Sequence, residues 1–140
     1  MFFTGYSRAA SELLDEQHDR TERGDAEMVS ALEEVRVLGT RIREALEAGD
    51  TERFARLMHE HWLGKKRRSG GMSNPQIDRW YDVGVRNGAI GGKLVGAGGG
   101  GFLLFYANDL ARLRAAMAAE GLIEVRFGFD HDGSTVIVRE

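Results

Sequence analysis

The sequence predicts an α+β fold in which an antiparallel sheet is covered by helices. Three observations carry this. Strand-like segments stand at the start of the chain and again after residue 88, with amphipathic helical segments between them. A run of glycines separates two of the later strands, so those two turn back on each other. A further helical segment then precedes alternating apolar residues, giving the order strand, helices, strand, strand, helix, strand, strand. Such an order points to helices laid over an antiparallel sheet.

Taken in turn, Phe2 and Phe3 before Thr4-Gly5 read as the end of an apolar strand. A chain that opens inside a strand suggests a start that has been cut, leaving an incomplete sheet edge. Ser7 is placed to cap a helix from Arg8 to about Gln17, and the polar stretch His18 to Asp25 reads as a connector. Met28, Leu32, Val35, Leu38, Ile42 and Leu46 recur at spacings of three and four, which predicts a long amphipathic helix ending at Gly49. Asp50 or Thr51 caps the next, with Phe54, Leu57, Met58 and Trp62 inward and an end near Gly64. Asn74 as cap and Pro75 in the first turn start a helix whose inner face is Ile77, Trp80, Tyr81 and Val85.

Beyond the glycines, Phe102 to Ala107 reads as a buried strand. Asn108 or Asp109 caps a helix with Leu110, Leu113 and Met117 inward, closed by Gly121. Ile123, Val125, Phe127 and Phe129 alternate, Asp130 to Gly133 turns the chain, and Val136 and Val138 alternate back, which predicts a β-hairpin. Leu32, Leu38, Ile42, Leu104 and Phe127 are expected in the core.

The 140 residues amount to one domain, with 42% hydrophobic and 29% charged residues, ordinary for a globular chain. A net charge of −3 argues against a general nucleic-acid or anionic-membrane binder. There is no cysteine, so there is no disulfide framework and no thiolate metal site. No apolar run approaches the ~20 residues a membrane helix needs. Met1 to Gly5 is too short and lacks basic residues, so it does not read as a signal peptide. A cytoplasmic protein is the expectation.

Gly88 to Gly101 holds eight of the chain's 19 glycines in fourteen positions. Glycine at that density cannot be helical, since each costs roughly 0.5–1 kcal/mol relative to alanine. It suggests either backbone at positive φ or close approach of another group. The plain alternative is a glycine hairpin with no ligand. Residues 96–101 satisfy G-x-G-x-x-G, but a strand follows where the dinucleotide fingerprint needs a helix. Gly92-Lys93-Leu94 fails the P-loop pattern, because Leu94 replaces Ser/Thr and Asn87 replaces the first glycine. No His-Arg-Asp or Asp-Phe-Gly motif accompanies the loop as in protein kinases.

Over its whole length, Gly88-Ala-Ile-Gly-Gly-Lys-Leu-Val-Gly-Ala-Gly-Gly-Gly-Gly101 resembles the third conserved motif of the GHMP small-molecule kinases, with Val95 where many members carry a hydroxyl residue. The resemblance implies a ferredoxin-like C-terminal domain, here with added N-terminal helices. Met58 to Lys66, Ser73 to Asp78 and the opening Phe2 to Arg8 further resemble the bacterial sugar kinases acting on D-glycero-D-manno-heptose 7-phosphate, and the related fucose kinases. In that family the phosphate-cradling serine-rich loop, the Mg²⁺ ligands and the catalytic acid or base lie in an N-terminal domain, and no such segment occurs here. The resemblance therefore implies a C-terminal domain partnered by an N-terminal ATP-binding domain. ATP and Mg²⁺ would serve the intact enzyme, none would be expected on this chain alone, and a sugar or sugar phosphate would be the substrate. Gly96, Ala97, Gly98, Gly99, Gly100 and Gly101 would support the phosphate loop and the sugar end of the cleft. Lys93 would be structural, and the chain would hold no catalytic residue.

Two other clusters stand out. His59 and His61 lie about 200° apart on a regular helix and so cannot chelate one ion. Lys65, Lys66, Arg67 and Arg68 complement a helix C-terminus, and Lys65, Lys66 and Arg67 are candidate phosphate contacts. Two rival readings remain: a stand-alone small-ligand-binding or regulatory module, and a purely structural or pairing domain. Homo-oligomerisation through exposed apolar surface is a further expectation.

Overall fold

The computed structural model describes residues 1–7, 10–68, 71–96, 98–131, 133 and 135, with the backbone alone at 10–14, 16 and 68. The elements are β1 (Phe2–Phe3), α1 (Ala10–Glu22), α2 (Ala26–Glu47), α3 (Thr51–Arg68), α4 (Pro75–Arg86), β2 (Ala89–Val95), β3 (Phe102–Ala107), α5 (Leu110–Ala119) and β4 (Ile123–Glu124). The four strands form one sheet in the order β2-β3-β1-β4, and each neighbouring pair is antiparallel. Four helices connect β1 to β2, one connects β3 to β4, and each connected pair has another strand between. This is the split βαββαβ arrangement of the ferredoxin-like fold with added helices, as expected.

One face of the sheet holds the core. Phe2, Leu94 and Leu103 share a cross-strand row and pack on Ile77, Tyr81, Leu113, Met117 and Trp62, all buried. Fully burying side chains of this size contributes ~1.5–3 kcal/mol each. α3 runs along β2, and α2 lies on α3 through a second cluster of Leu38, Ala45 and Leu57. Asn74 caps α4 by accepting from the Gln76 and Ile77 amides, and Asp109 caps α5 by accepting from Arg112.

Several sequence expectations are corrected. β1 is not an edge: Phe2 and Phe3 pair with β3 on one side and β4 on the other, and Phe2 is buried. α1 spans Ala10–Glu22, so the polar residues after Gln17 are helical, and the turn comes at Gly24. Thr21 bonds back to the Gln17 carbonyl, and Arg20 binds Asp25, the N-cap of α2. α3 passes through Gly64 to Arg68, because Lys65 and Lys66 beyond it find partners on other elements.

Leu32 is exposed. The ion pairs Glu44–Arg53, Arg41–Glu60 and Glu34–Arg67 show α2 and α3 running antiparallel, and α3 ends opposite residue 34, leaving Val29 and Leu32 beyond it. Leu46 is also exposed, and Ala45 takes the inward position. The last strand stops at Glu124; residues 125–130 are not strand, and Phe127 is exposed rather than in the core. The expected return arm at Val136 and Val138 lies outside the described residues.

Candidate functional site

The glycine run is the hairpin between β2 and β3, closed by the pairing of Val95 with Phe102. Its first half is not loop at all. Gly91 and Gly92 are strand residues, and a side chain on Gly91 would strike the Ala55 carbonyl of α3. Glycine is required there so that helix and strand can approach. In the loop proper, Gly96, Gly98, Gly99 and Gly101 have positive φ (123°, 122°, 70° and 104°), while Ala97 lies outside the described residues. Gly100 is not at positive φ, but a Cβ there would come within 2.5 Å of the Tyr6 carbonyl oxygen.

The chain's own backbone holds the loop. The Gly99 amide donates to the Met72 carbonyl at 3.0 Å, and the Gly101 amide donates to the Tyr6 carbonyl at 2.9 Å. The Gly101 carbonyl accepts from both the amide and the hydroxyl of Thr4, at 3.0 and 2.8 Å. On the β2 side, Lys65 Nζ donates to the Gly96 carbonyl at 2.6 Å. Thr4, Tyr6 and Met72 were not legible as anchors, because two of the three act through backbone carbonyls, which carry no residue signature.

The basic run splits among separate partners. Lys65 reaches the glycine loop. Lys66 binds Asp78, which also accepts from Ser73, and sits 5.6 Å from the centre of the Trp62 ring. Arg67 lies 3.9 Å from Glu34 on α2, and the side chain of Arg68 is outside the described set. Successive residues on a helix diverge by about 100°, so a run of cations is not one patch.

The two histidines likewise part. His59 Nδ1 is 2.7 Å from the Tyr81 hydroxyl, whose oxygen is 3.0 Å from the Gly92 carbonyl in a buried position. A carbonyl only accepts, so the phenol gives its one hydrogen to Gly92 and accepts from a protonated His59 Nδ1. His61 shows the opposite arrangement: the Lys93 ammonium, 3.0 Å away, only donates, so His61 Nδ1 accepts. Burial raises the Tyr81 pKa above the ordinary phenol range, with the Asp82 charge adding to it. Among the described residues no three His, Asp or Glu side chains converge as a metal site, and no helix is long and apolar enough to cross a membrane. A groove of about 880 Å³ lies away from the loop, between α2 and α3, lined by Val29, Val35, Leu38, Arg41, His61 and Arg67 among others.

The elements thus make a ferredoxin-like sheet with added helices and a glycine hairpin between its second and third strands, anchored on the chain itself. Residues 42–123 match the family described as GHMP kinases C terminal, and the chain belongs to that family. It is 29% identical over 136 residues to D-glycero-alpha-D-manno-heptose 7-phosphate kinase of Campylobacter jejuni, covering 95% of this chain and 39% of that protein. It is 28% identical over 109 residues to L-fucokinase/L-fucose-1-P guanylyltransferase of Bacteroides fragilis, covering 78% of this chain and 11% of that protein. The chain thus spans well under half the length of these relatives. Among solved structures, L. major mevalonate kinase in complex with R-mevalonate superposes with a TM-score of 0.73 at 21% identity, over 84% of this chain and 35% of that one, a likeness of fold.

Proposed function

We propose that this chain is the substrate-side C-terminal domain of an ATP-dependent sugar kinase, of the heptose-phosphate type. It works with an N-terminal domain that carries the phosphate-cradling loop, the Mg²⁺ ligands and the catalytic acid or base. The observation that carries this reading is the loop itself. Gly99 and Gly101 spend their amides on the chain's own carbonyls, so the hairpin is a preset wall rather than a complete phosphate cradle. Phosphoryl transfer depends on positioning and on charge stabilisation by phosphate donors and metal, and a rigid wall supplies the first of these. The 29% identity to the heptose 7-phosphate kinase supports the substrate class. ATP and Mg²⁺ would bind the intact enzyme, in a cleft that the N-terminal domain completes.

The test is to join this chain to its N-terminal half and assay ATP-dependent phosphorylation of D-glycero-D-manno-heptose 7-phosphate beside L-fucose. Turnover of the heptose phosphate by the joined protein, with none above buffer background from the 140 residues alone, is expected. Mg²⁺-dependent turnover by the isolated chain would overturn the reading.

A further inference from the structure

We infer that Lys65 is a positioning residue for the glycine loop: from the last turn of α3 its ammonium fixes the point at which the loop leaves β2. This rests on the kinase reading above, since loop position matters to activity only if the loop walls a reacting cleft. Gly96 is the first residue past β2, at φ 123°, and a Cβ there would find its nearest neighbour, the Gly100 oxygen, at 3.6 Å. Gly91 and Gly100, by contrast, are wedged against backbone carbonyls. The far side of the loop is held by Thr4, Tyr6 and Met72. The near side is held by Lys65 through a bond of 2.6 Å to the Gly96 carbonyl, and such charge-assisted bonds are roughly twice as strong as neutral ones.

Lys65 also completes a series. Ala55 packs on Gly91, His59 reaches Gly92 through Tyr81, His61 accepts from Lys93, and Lys65 takes Gly96. Residues along one helix thus meet residues along one strand in order, and the axial position of α3 is passed to the loop at the last of these contacts. A misplacement of about 1 Å in a positioned reacting group can cost about a hundredfold in rate. Losing the Lys65 contact should therefore act on turnover and not on substrate affinity.

Two measurements test this. In the 140-residue chain, amide exchange at Gly99 and Gly101 is compared with Leu103 and Leu113 in the wild type, Lys65→Arg and Lys65→Met. Lys65→Met is expected to lower loop protection about tenfold relative to the core amides, a local opening of about 1.4 kcal/mol, and Lys65→Arg to restore most of it. Unchanged loop protection in Lys65→Met, or an equal loss in loop and core, would overturn the inference. In the joined enzyme, Lys65→Met is expected to lower kcat about tenfold with KM for the sugar phosphate unchanged. A raised KM at unchanged kcat would make Lys65 a substrate contact and overturn the positioning role. Absence of kinase activity in the joined wild type, with the exchange result intact, would remove the kinase reading and leave the loop clamp standing.

Discussion

The Tyr81 hydroxyl, carried by α4, donates at 3.0 Å to the carbonyl of Gly92 in the middle of β2. The same oxygen accepts from His59 of α3, so one phenol ties two helices to the strand that leads into the glycine loop. Tyr81→Phe keeps the ring and its packing but leaves a buried carbonyl and an imidazole N–H without this partner. The expected loss is about 1–3 kcal/mol of unfolding free energy, read by urea denaturation. A loss under about 0.5 kcal/mol would mean that water or another donor replaces the phenol.

The same residue predicts an alkaline limit. Burial holds the Tyr81 proton more tightly in the folded chain than in the unfolded one. Its contribution is therefore complete below the unfolded tyrosine pKa near ~10 and is lost as pH rises from there through the higher folded value. The advantage of the wild type over Tyr81→Phe should be constant up to about pH 9 and shrink by about 1 kcal/mol by about pH 11. An advantage that stays level across that window would contradict the buried, proton-holding phenol.

Much of this architecture can be read from local chemistry. Asn74 and Asp109 begin α4 and α5 because their side chains satisfy amides a few residues on, and Gly49 and Gly121, at positive φ, follow the ends of α2 and α5. The glycine run marks the β2–β3 hairpin for the same kind of reason. The anchors of the loop are another matter. Met72 and Tyr6 act through carbonyls, and any residue brought to those points offers the same oxygen. α3 continues past Gly64 on partners that are distant in sequence, Gly96 for Lys65 and Asp78 for Lys66. Leu32 has the right spacing to be buried and is not, because spacing does not tell where the facing helix ends. The alternation after Ile123 misled in the same way: a period of two marks strand character, but a strand also needs a paired neighbour, and the pairing with β1 ends at Glu124, with one further backbone bond from Val125 to Met1.

Two glycines should respond in opposite directions to alanine. At Gly91 a methyl group would meet the Ala55 carbonyl and come 3.2 Å from the His59 Cβ, with helix backbone that cannot easily yield. Gly91→Ala is expected to cost well over the ordinary ~1 kcal/mol of a glycine change and to loosen α3 from β2. Gly39, inside α2, has nothing within 4 Å of its would-be Cβ. Gly39→Ala should stabilise by roughly 0.5–1 kcal/mol through helix propensity. Thermal unfolding of the two variants checks both signs, and equal effects would mean that α3 and β2 are not in the close contact described.

The face of the sheet turned away from α4 and α5 carries an apolar row of its own. Strand residues alternate between faces, so the partners Val95, Phe102, Phe3 and Ile123 form one row across all four strands, opposite to the buried row of Phe2, Leu94 and Leu103. Phe3 and Phe102 pack with ring centres 5.1 Å apart and planes tilted by 43°, yet Phe3 remains 38% exposed and Ile123 69%. The surface expected to drive self-association is therefore this row and not an open β1 edge, since β1 is paired on both sides. Contiguous apolar surface of a few hundred Å² favours association, and a charge at the most exposed member should oppose it. The weight-average sedimentation coefficient of the wild type is expected to rise with concentration, and Ile123→Lys to abolish that rise while changing unfolding free energy by no more than about 0.5 kcal/mol. A wild type that sediments as a monomer throughout, or an Ile123→Lys variant that associates as before, would show that this row does not bring copies of the chain together.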